Sequence, residues 1–188
     1  MNTPKGFFTV RPLLEATAAR YGYDAALLAA QAHQESAFQP GAVSSAGARG
    51  LMQFMPATWR ELGRGKDIHD PASSLDAGVR YMVGLLNQFG DVRMALAAYN
   101  CGAGNLTKAA QRAGSWVWEK LSARLPLETQ RYVPAILTLR EGYATVHGLA
   151  KAALARITPS VTVPGAAIPG AVVAVMALLG VLVVRRFA

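Results

Sequence analysis

Residues His33–Trp59 read HQESAFQPGAVSSAGARGLMQFMPATW. On the left, Glu35 closes an apolar, Ala-rich run that begins at Ala25. Leu27, Leu28, Gln31 and Glu35 recur there at i, i+4 and i, i+7 spacing, which is one face of a helix. Asp24 is a capping residue for its start, so the spacing predicts a helix over Ala25–Ser36 with Glu35 at its C-terminal end. Residues 38–50 form a loop rich in Gly, Ala and Ser, and Gly-Leu-Met-Gln follows. Pro56 suits the first turn of a short helix ending near Leu62. The stretch is built to hold one carboxylate at a helix end, beside a wall of small residues.

Outward from this stretch the pattern stays helical. Arg11–Tyr21 is amphipathic and stops at Gly22. Asp70-Pro71 opens a helix that runs to Phe89 and Gly90. Asp91 caps the next one, Val92–Tyr99, which Asn100-Cys101-Gly102 breaks. A short helix is predicted over Leu106–Ala113 and a long one over Glu128–Ala155, with Pro134 near its start. At most a minor strand is expected between Val43 and Phe54.

Composition limits the function classes. Apolar residues make up 52% of the 188 and charged residues only 16%, a low charged share for an ordinary soluble domain. The C-terminus accounts for it. No charge occurs from Ile157 to Val184, and Pro164–Val184 gives 21 mostly apolar positions followed by Arg185 and Arg186. About 20 such residues in a helix span a bilayer's hydrocarbon core, so a transmembrane helix anchored in lipid is expected here. The N-terminus has no run suited to a signal peptide. Net charge is +8 and the pI about 10.1, which suits a polyanionic partner. The basic residues are scattered, without a Lys/Arg tract, so nucleic acid is not expected. Cys101 is the single cysteine, which excludes an intrachain disulfide and a cysteine-cluster metal site. His33, His69 and His147 are far apart and form no HExxH, so neither metal nor cofactor is expected.

Four ordered blocks give the chain a family likeness. They are Glu35-Ser36 with the loop to Gly50-Leu51-Met52-Gln53-Phe54-Met55-Pro56; Asp70-Pro71 through Ala77-Gly78-x-x-Tyr81; Ala97-Ala98-Tyr99-Asn100-Cys101-Gly102; and Glu128-Thr129-x-x-Tyr132-Val133. In this order they resemble the lytic transglycosylases of the soluble (SLT) type, over about Arg11 to Gly142. The resemblance implies a mainly α, lysozyme-like SLT domain, here followed by a single C-terminal transmembrane helix. Its boundaries are residues 1–156 for the domain, 157–163 for a linker, 164–184 for the membrane helix and 185–188 for a basic tail.

The resemblance also implies a chemistry. The substrate is peptidoglycan, cut at the β-1,4 bond between N-acetylmuramic acid and N-acetylglucosamine. Most glycosidases need two carboxylates, the second to attack or to activate water. In this family one Glu protonates the glycosidic oxygen and then takes the proton of the sugar's own 6-hydroxyl. That hydroxyl closes onto the anomeric carbon, and a 1,6-anhydro product leaves. Glu35 matches the Glu. A general acid at neutral pH needs a carboxyl pKa above the usual ~4.3, most simply by desolvation, and the apolar helix suits that. Tyr99 matches a tyrosine whose hydroxyl touches the catalytic Glu. Ser44 matches a serine binding the acetamido group, with Ser45 beside it leaving the register open. Gln53, Met55 and Asn100 match residues lining or touching substrate, although Asn100 equally suits fixing the turn. Ser36 is expected to orient Glu35 through local hydrogen bonds. Glu128 is a second acid placed near the cleft, to bind substrate or buttress the fold. Tyr132 is expected to pack or close the cleft wall. Cys101 departs from the family's usual small residue and is expected to be structural.

The anchor and the wall substrate together point to a phage virion component that opens the wall during genome delivery, with other virion or envelope proteins as neighbours. A secretion or conjugation transglycosylase, a hydrolysing lysozyme and an inactive structural protein are the competing readings.

Overall fold

The structure is a computed structural model that describes residues 2–149. The elements are α1 (Gly6–Tyr21), α2 (Ala25–Ser36), α3 (Pro56–Leu62), α4 (Pro71–Phe89), α5 (Val92–Cys101), α6 (Ala103–Ala113), α7 (Trp118–Leu121), a 3-10 turn (Ser122–Arg124) and α8 (Leu127–Val146). The described residues include no strand; Arg49 makes isolated antiparallel bridges to Val43 and Phe54. A mainly α fold is therefore observed. The apolar run 164–184, its linker and its basic tail lie outside the described residues. Within the described residues, no helix is long and apolar enough to cross a membrane.

The three aspartates read as caps do cap. Asp24 accepts from the Ala26 and Leu27 amides, Asp70 from Ser73 and Asp91 from Arg93. Each satisfies amides that a helix start leaves without partners. Four helices differ from the sequence expectation: α5 runs on through Asn100 to Cys101, α6 starts three residues early at Ala103, and α1 and α8 depart further. α1 starts at Gly6, five residues early, and runs through Pro12. Phe7, Val10 and Leu14 line one buried face, and that burial offsets the hydrogen bond Pro12 cannot donate. α8 stops at Val146, where Leu149 N–H reaches back to Tyr143 O across Gly148.

α2 is the centre of the domain. Ten of its twelve residues are buried, so it is covered on nearly every side. Its most extensive partner is α8, 91 residues further along the chain from Ser36 to Leu127. Asp24, at its start, pairs with Arg140 Nη2 at 2.6 Å, and the Asp24 side chain is fully buried. His33 Nδ1 lies 3.0 Å from the Tyr143 hydroxyl. These two contacts fix where α8 crosses α2, and hence what faces Glu35.

Candidate active site

Glu35 sits in the last turn of α2 and is 5% exposed. Two local forces act on it. Burial disfavours the charged form of a carboxyl, and the partial negative charge at a helix C-terminus disfavours an anion nearby.

The chain leaves α2 through a strained turn. Ala37 (φ 49°) and Phe38 (φ 61°) both take left-handed backbone angles, as does Gln53 (φ 49°) further on. Non-glycine residues there carry roughly 1–2 kcal/mol of strain each. The surroundings hold them. Phe38 packs its ring on Phe7 and Tyr143, and its amide reaches back to Ala32 O. Ser36 Oγ donates to Leu51 O at 2.8 Å, tying the loop's far end to the residue beside Glu35.

The Gly-Leu-Met-Gln segment is clamped from two helices. Met52 N donates to Ser74 Oγ of α4, and Met52 O accepts from Tyr99 Oη of α5 at 2.9 Å. Gly78 makes room for it, since a Cβ there would lie 2.9 Å from Met52 Cε. Gly50 (φ 77°) is equally constrained, because a Cβ would sit 2.2 Å from Ile68 O. Met52 is fully buried. Gln53 is 4% exposed, and its amide nitrogen donates to Ala42 O and Gly50 O. Its first work is holding the loop. Ser44 bonds around the Gly47 turn, with Oγ accepting from Ala48 N at 3.0 Å. Met55 is half-buried at the start of α3.

Tyr99, the neighbour of Glu35 that the family likeness implies, gives its hydroxyl proton to Met52 O. The tyrosine that donates to Glu35 is Tyr132 of α8, whose Oη lies 2.5 Å from Glu35 Oε1. Both tyrosines are buried, and burial pushes each phenol well above its ordinary value. Both therefore stay protonated and donate. Geometry separates them: α8 packs along α2, whereas Tyr99 lies on α5 and rings with Tyr81 and Phe54. The sequence places Tyr132 at the cleft wall in the Glu128-Thr129-x-x-Tyr132-Val133 block, a pattern that does not reveal which helix it meets.

Asn100 and Glu128 form a second cluster. Asn100 is buried; its Nδ2 donates to Glu128 Oε1 at 3.1 Å, and its Oδ1 accepts from Thr129 Oγ1 at 2.6 Å. The end of α5 is thereby pinned to the start of α8, which gives both Asn100 and Glu128 a fixed position. Cys101 beside them is buried, and burial raises its thiol to about 11. Such a thiol is not a nucleophile at neutral pH. Trp59 is part of the core, while Trp118 lies under the Arg93 guanidinium. The described residues contain no cluster of metal ligands.

The sequence profile of the transglycosylase SLT domain matches residues 12–119. The chain belongs to that family. This SLT domain is 38% identical to the membrane-bound lytic murein transglycosylase F of Desulfosudis oleivorans over 146 residues, which is 71% of this chain and 32% of that protein. It is 33% identical to the membrane-bound lytic murein transglycosylase C of Haemophilus influenzae over 66% of this chain and 40% of that protein. Among solved structures it resembles the 70 kDa soluble lytic transglycosylase SLT70 of Escherichia coli. The TM-score there is 0.66 at 25% identity, over 80% of this chain and 26% of that one. A complex of the 70-kDa soluble lytic transglycosylase with bulgecin A aligns with a TM-score of 0.67 at 26% identity, covering 81% of this chain and 26% of that one. The chain spans about a third of the length of the relatives it matches. The profile stops before α8, so the helix that supplies Tyr132 lies outside the matched segment.

Proposed function

We propose that this chain is a peptidoglycan lytic transglycosylase that cuts the β-1,4 bond between N-acetylmuramic acid and N-acetylglucosamine and leaves a 1,6-anhydro end. The observation that carries this reading is the buried Glu35 carboxyl at the end of α2, hydrogen-bonded by Tyr132, within a domain of the SLT family. Glu35 protonates the glycosidic oxygen and the bond to the anomeric carbon breaks. The resulting carboxylate takes the proton of the muramic acid 6-hydroxyl, whose oxygen bonds the anomeric carbon. Each turnover returns the proton to Glu35. Tyr132 steadies the carboxyl in both states. Ser44, Gln53 and Met55 make the cleft wall that meets the sugars, and Glu128 lies at the Asn100 end. No second carboxylate has a task in this scheme.

The test is product mass. Anhydro fragments are lighter than hydrolytic ones by one water, and Glu35→Gln should stop fragment release while the fold persists. Fragments carrying the added water support a lysozyme instead.

We also propose that Pro164–Val184 anchors the domain in a lipid bilayer and that the enzyme acts from a phage particle, opening the wall locally. Length, apolarity and the flanking Arg185 and Arg186 support the anchor. Extraction with detergent but not with salt tests the anchor. Absence of the chain from purified particles refutes the virion setting.

A further inference from the structure

α2 carries one polar side chain deeper than Glu35. Gln31 lies one turn before it, on the same face, and is fully buried among Ala and Leu. Its Oε1 accepts from Tyr23 Oη at 2.9 Å. Because Tyr132 gives its proton to Glu35, the amide end that acts on this phenol is the donor Nε2, which leaves Oε1 for Tyr23. Nε2 is buried and completes no hydrogen bond of ordinary geometry. Yet the Gln31 side chain acts on the Tyr132 hydroxyl, where it opposes the rise that burial imposes on that phenol. A donor aimed at the phenol oxygen has this effect.

Stability does not explain such a group. An amide proton buried without a full hydrogen bond destabilises a fold, and an apolar side chain of the same shape avoids that. Catalytic hydrogen bonds, by contrast, are often long in the resting site and tighten when charge develops. The order of donors fits this. Tyr23 donates to Gln31, Gln31 acts on the Tyr132 hydroxyl, and Tyr132 donates to Glu35. All point the same way, and bonds in such a chain polarise one another.

We propose that Gln31 is a positioning residue of the acid–base carboxyl, acting through Tyr132 to stabilise the carboxylate that Glu35 becomes once its proton has gone to the glycosidic oxygen. This rests on the transglycosylase reading of Glu35. When Glu35 is neutral, the Tyr132 oxygen carries little extra charge and the Gln31 contact stays loose. When Glu35 is ionised, Tyr132 leans its proton toward the carboxylate, its oxygen gains negative character, and Gln31 N–H closes on it. The return of the 6-hydroxyl proton relaxes the chain. The titratable groups that act on Tyr132 from the packed elements are Glu35 on α2, Tyr23 before α2, Tyr99 on α5 and Glu128 on α8. Only Glu35 and Glu128 are acids, so Glu128→Gln separates their titrations.

The experiment is an NMR titration of the Glu35 carboxyl carbon in the full chain, with pH–rate profiles on purified peptidoglycan beside it. The proteins are wild type, Gln31→Leu, Tyr132→Phe and the double variant. Gln31→Met, of nearly native length, stands in for Gln31→Leu should the latter fold poorly. Gln31→Leu should raise the Glu35 midpoint by about half a pH unit. The alkaline limb of the rate profile should move with it, kcat should fall about threefold, and KM should stay put. In the Tyr132→Phe background the Gln31 substitution should move nothing further. An unmoved midpoint, or the same shift in the absence of the Tyr132 hydroxyl, overturns the proposal. The titration does not depend on product chemistry. Hydrolytic products from wild type would therefore refute the transglycosylase reading while the role of Gln31 is still decided.

Discussion

Removing one hydroxyl tests which tyrosine serves Glu35. Tyr132→Phe deletes the donor 2.5 Å from Glu35 Oε1 and keeps the ring that packs between α2 and α8. Hydrogen bonds to charged groups contribute about 1.5–3 kcal/mol, and 1.36 kcal/mol is tenfold in rate. The bond strengthens when Glu35 is a carboxylate, so most of its value falls on the intermediate state. The loss in kcat is then about 10- to 100-fold. Tyr99→Phe removes a bond to a backbone carbonyl, Met52 O, on the other side of the loop. It should lower stability by about 1–2 kcal/mol through the unsatisfied carbonyl and change kcat less than fivefold. The assay is release of soluble fragments from purified cell walls under steady-state conditions, with urea unfolding of each variant to separate folding from chemistry. If Tyr99→Phe loses more activity than Tyr132→Phe at equal folded fraction, the assignment of Tyr132 is refuted.

Arg140→Met should destabilise the domain by about 3–5 kcal/mol in urea melts, because it strands the fully buried Asp24 carboxylate without its counter-charge. Gly50→Ala should lower activity more than stability, since its Cβ would meet Ile68 O at 2.2 Å and the loop must shift beside Glu35. Equal activity in that variant, measured at matched folded fraction, would contradict the tight-loop argument. The His33 value is lowered by burial from the ordinary 6.5. Its folded value lies below its unfolded one, so its contribution to stability is intact above about pH 6.5 and is lost as pH falls through the folded value. His33→Gln should flatten the stability–pH curve in that acid range, and an unchanged slope would rule out His33 as its source.

Much of the helical order was legible because it is written locally. Asp24, Asp70 and Asp91 precede their helices directly, and Gly22 and Gly90 end theirs, so cap and stop lie within a turn of what they control. Glu35 was legible for the same reason, being the one acid closing an apolar helix. The helix ends were less so. Whether α1 tolerates Pro12 depends on Phe7, Val10 and Leu14 finding a core, which no local rule states. The partner of Glu35 was the least legible. Tyr99 and Tyr132 are both tyrosines in apolar helices, and only the crossing of α8 over α2 decides between them. That crossing is set by Asp24 with Arg140 and by His33 with Tyr143, pairs 116 and 110 positions apart in sequence. Gln31 was visible as a member of the Glu35 face, but the Tyr23 bond that orients its amide was not.

The contact between Glu35 and Tyr132 joins residues 97 positions apart. In a chain made from its N-terminus, Glu35 emerges early and its partner arrives only with the last described helix. Until α8 docks, α2 lacks both the Arg140 charge for Asp24 and the hydroxyl for Glu35. A nascent or truncated chain that stops before α8 therefore holds Glu35 without the Tyr132 hydroxyl. The element that seals the core is also the one that brings a hydroxyl to the carboxyl, so the Glu35 site is assembled only when folding is complete.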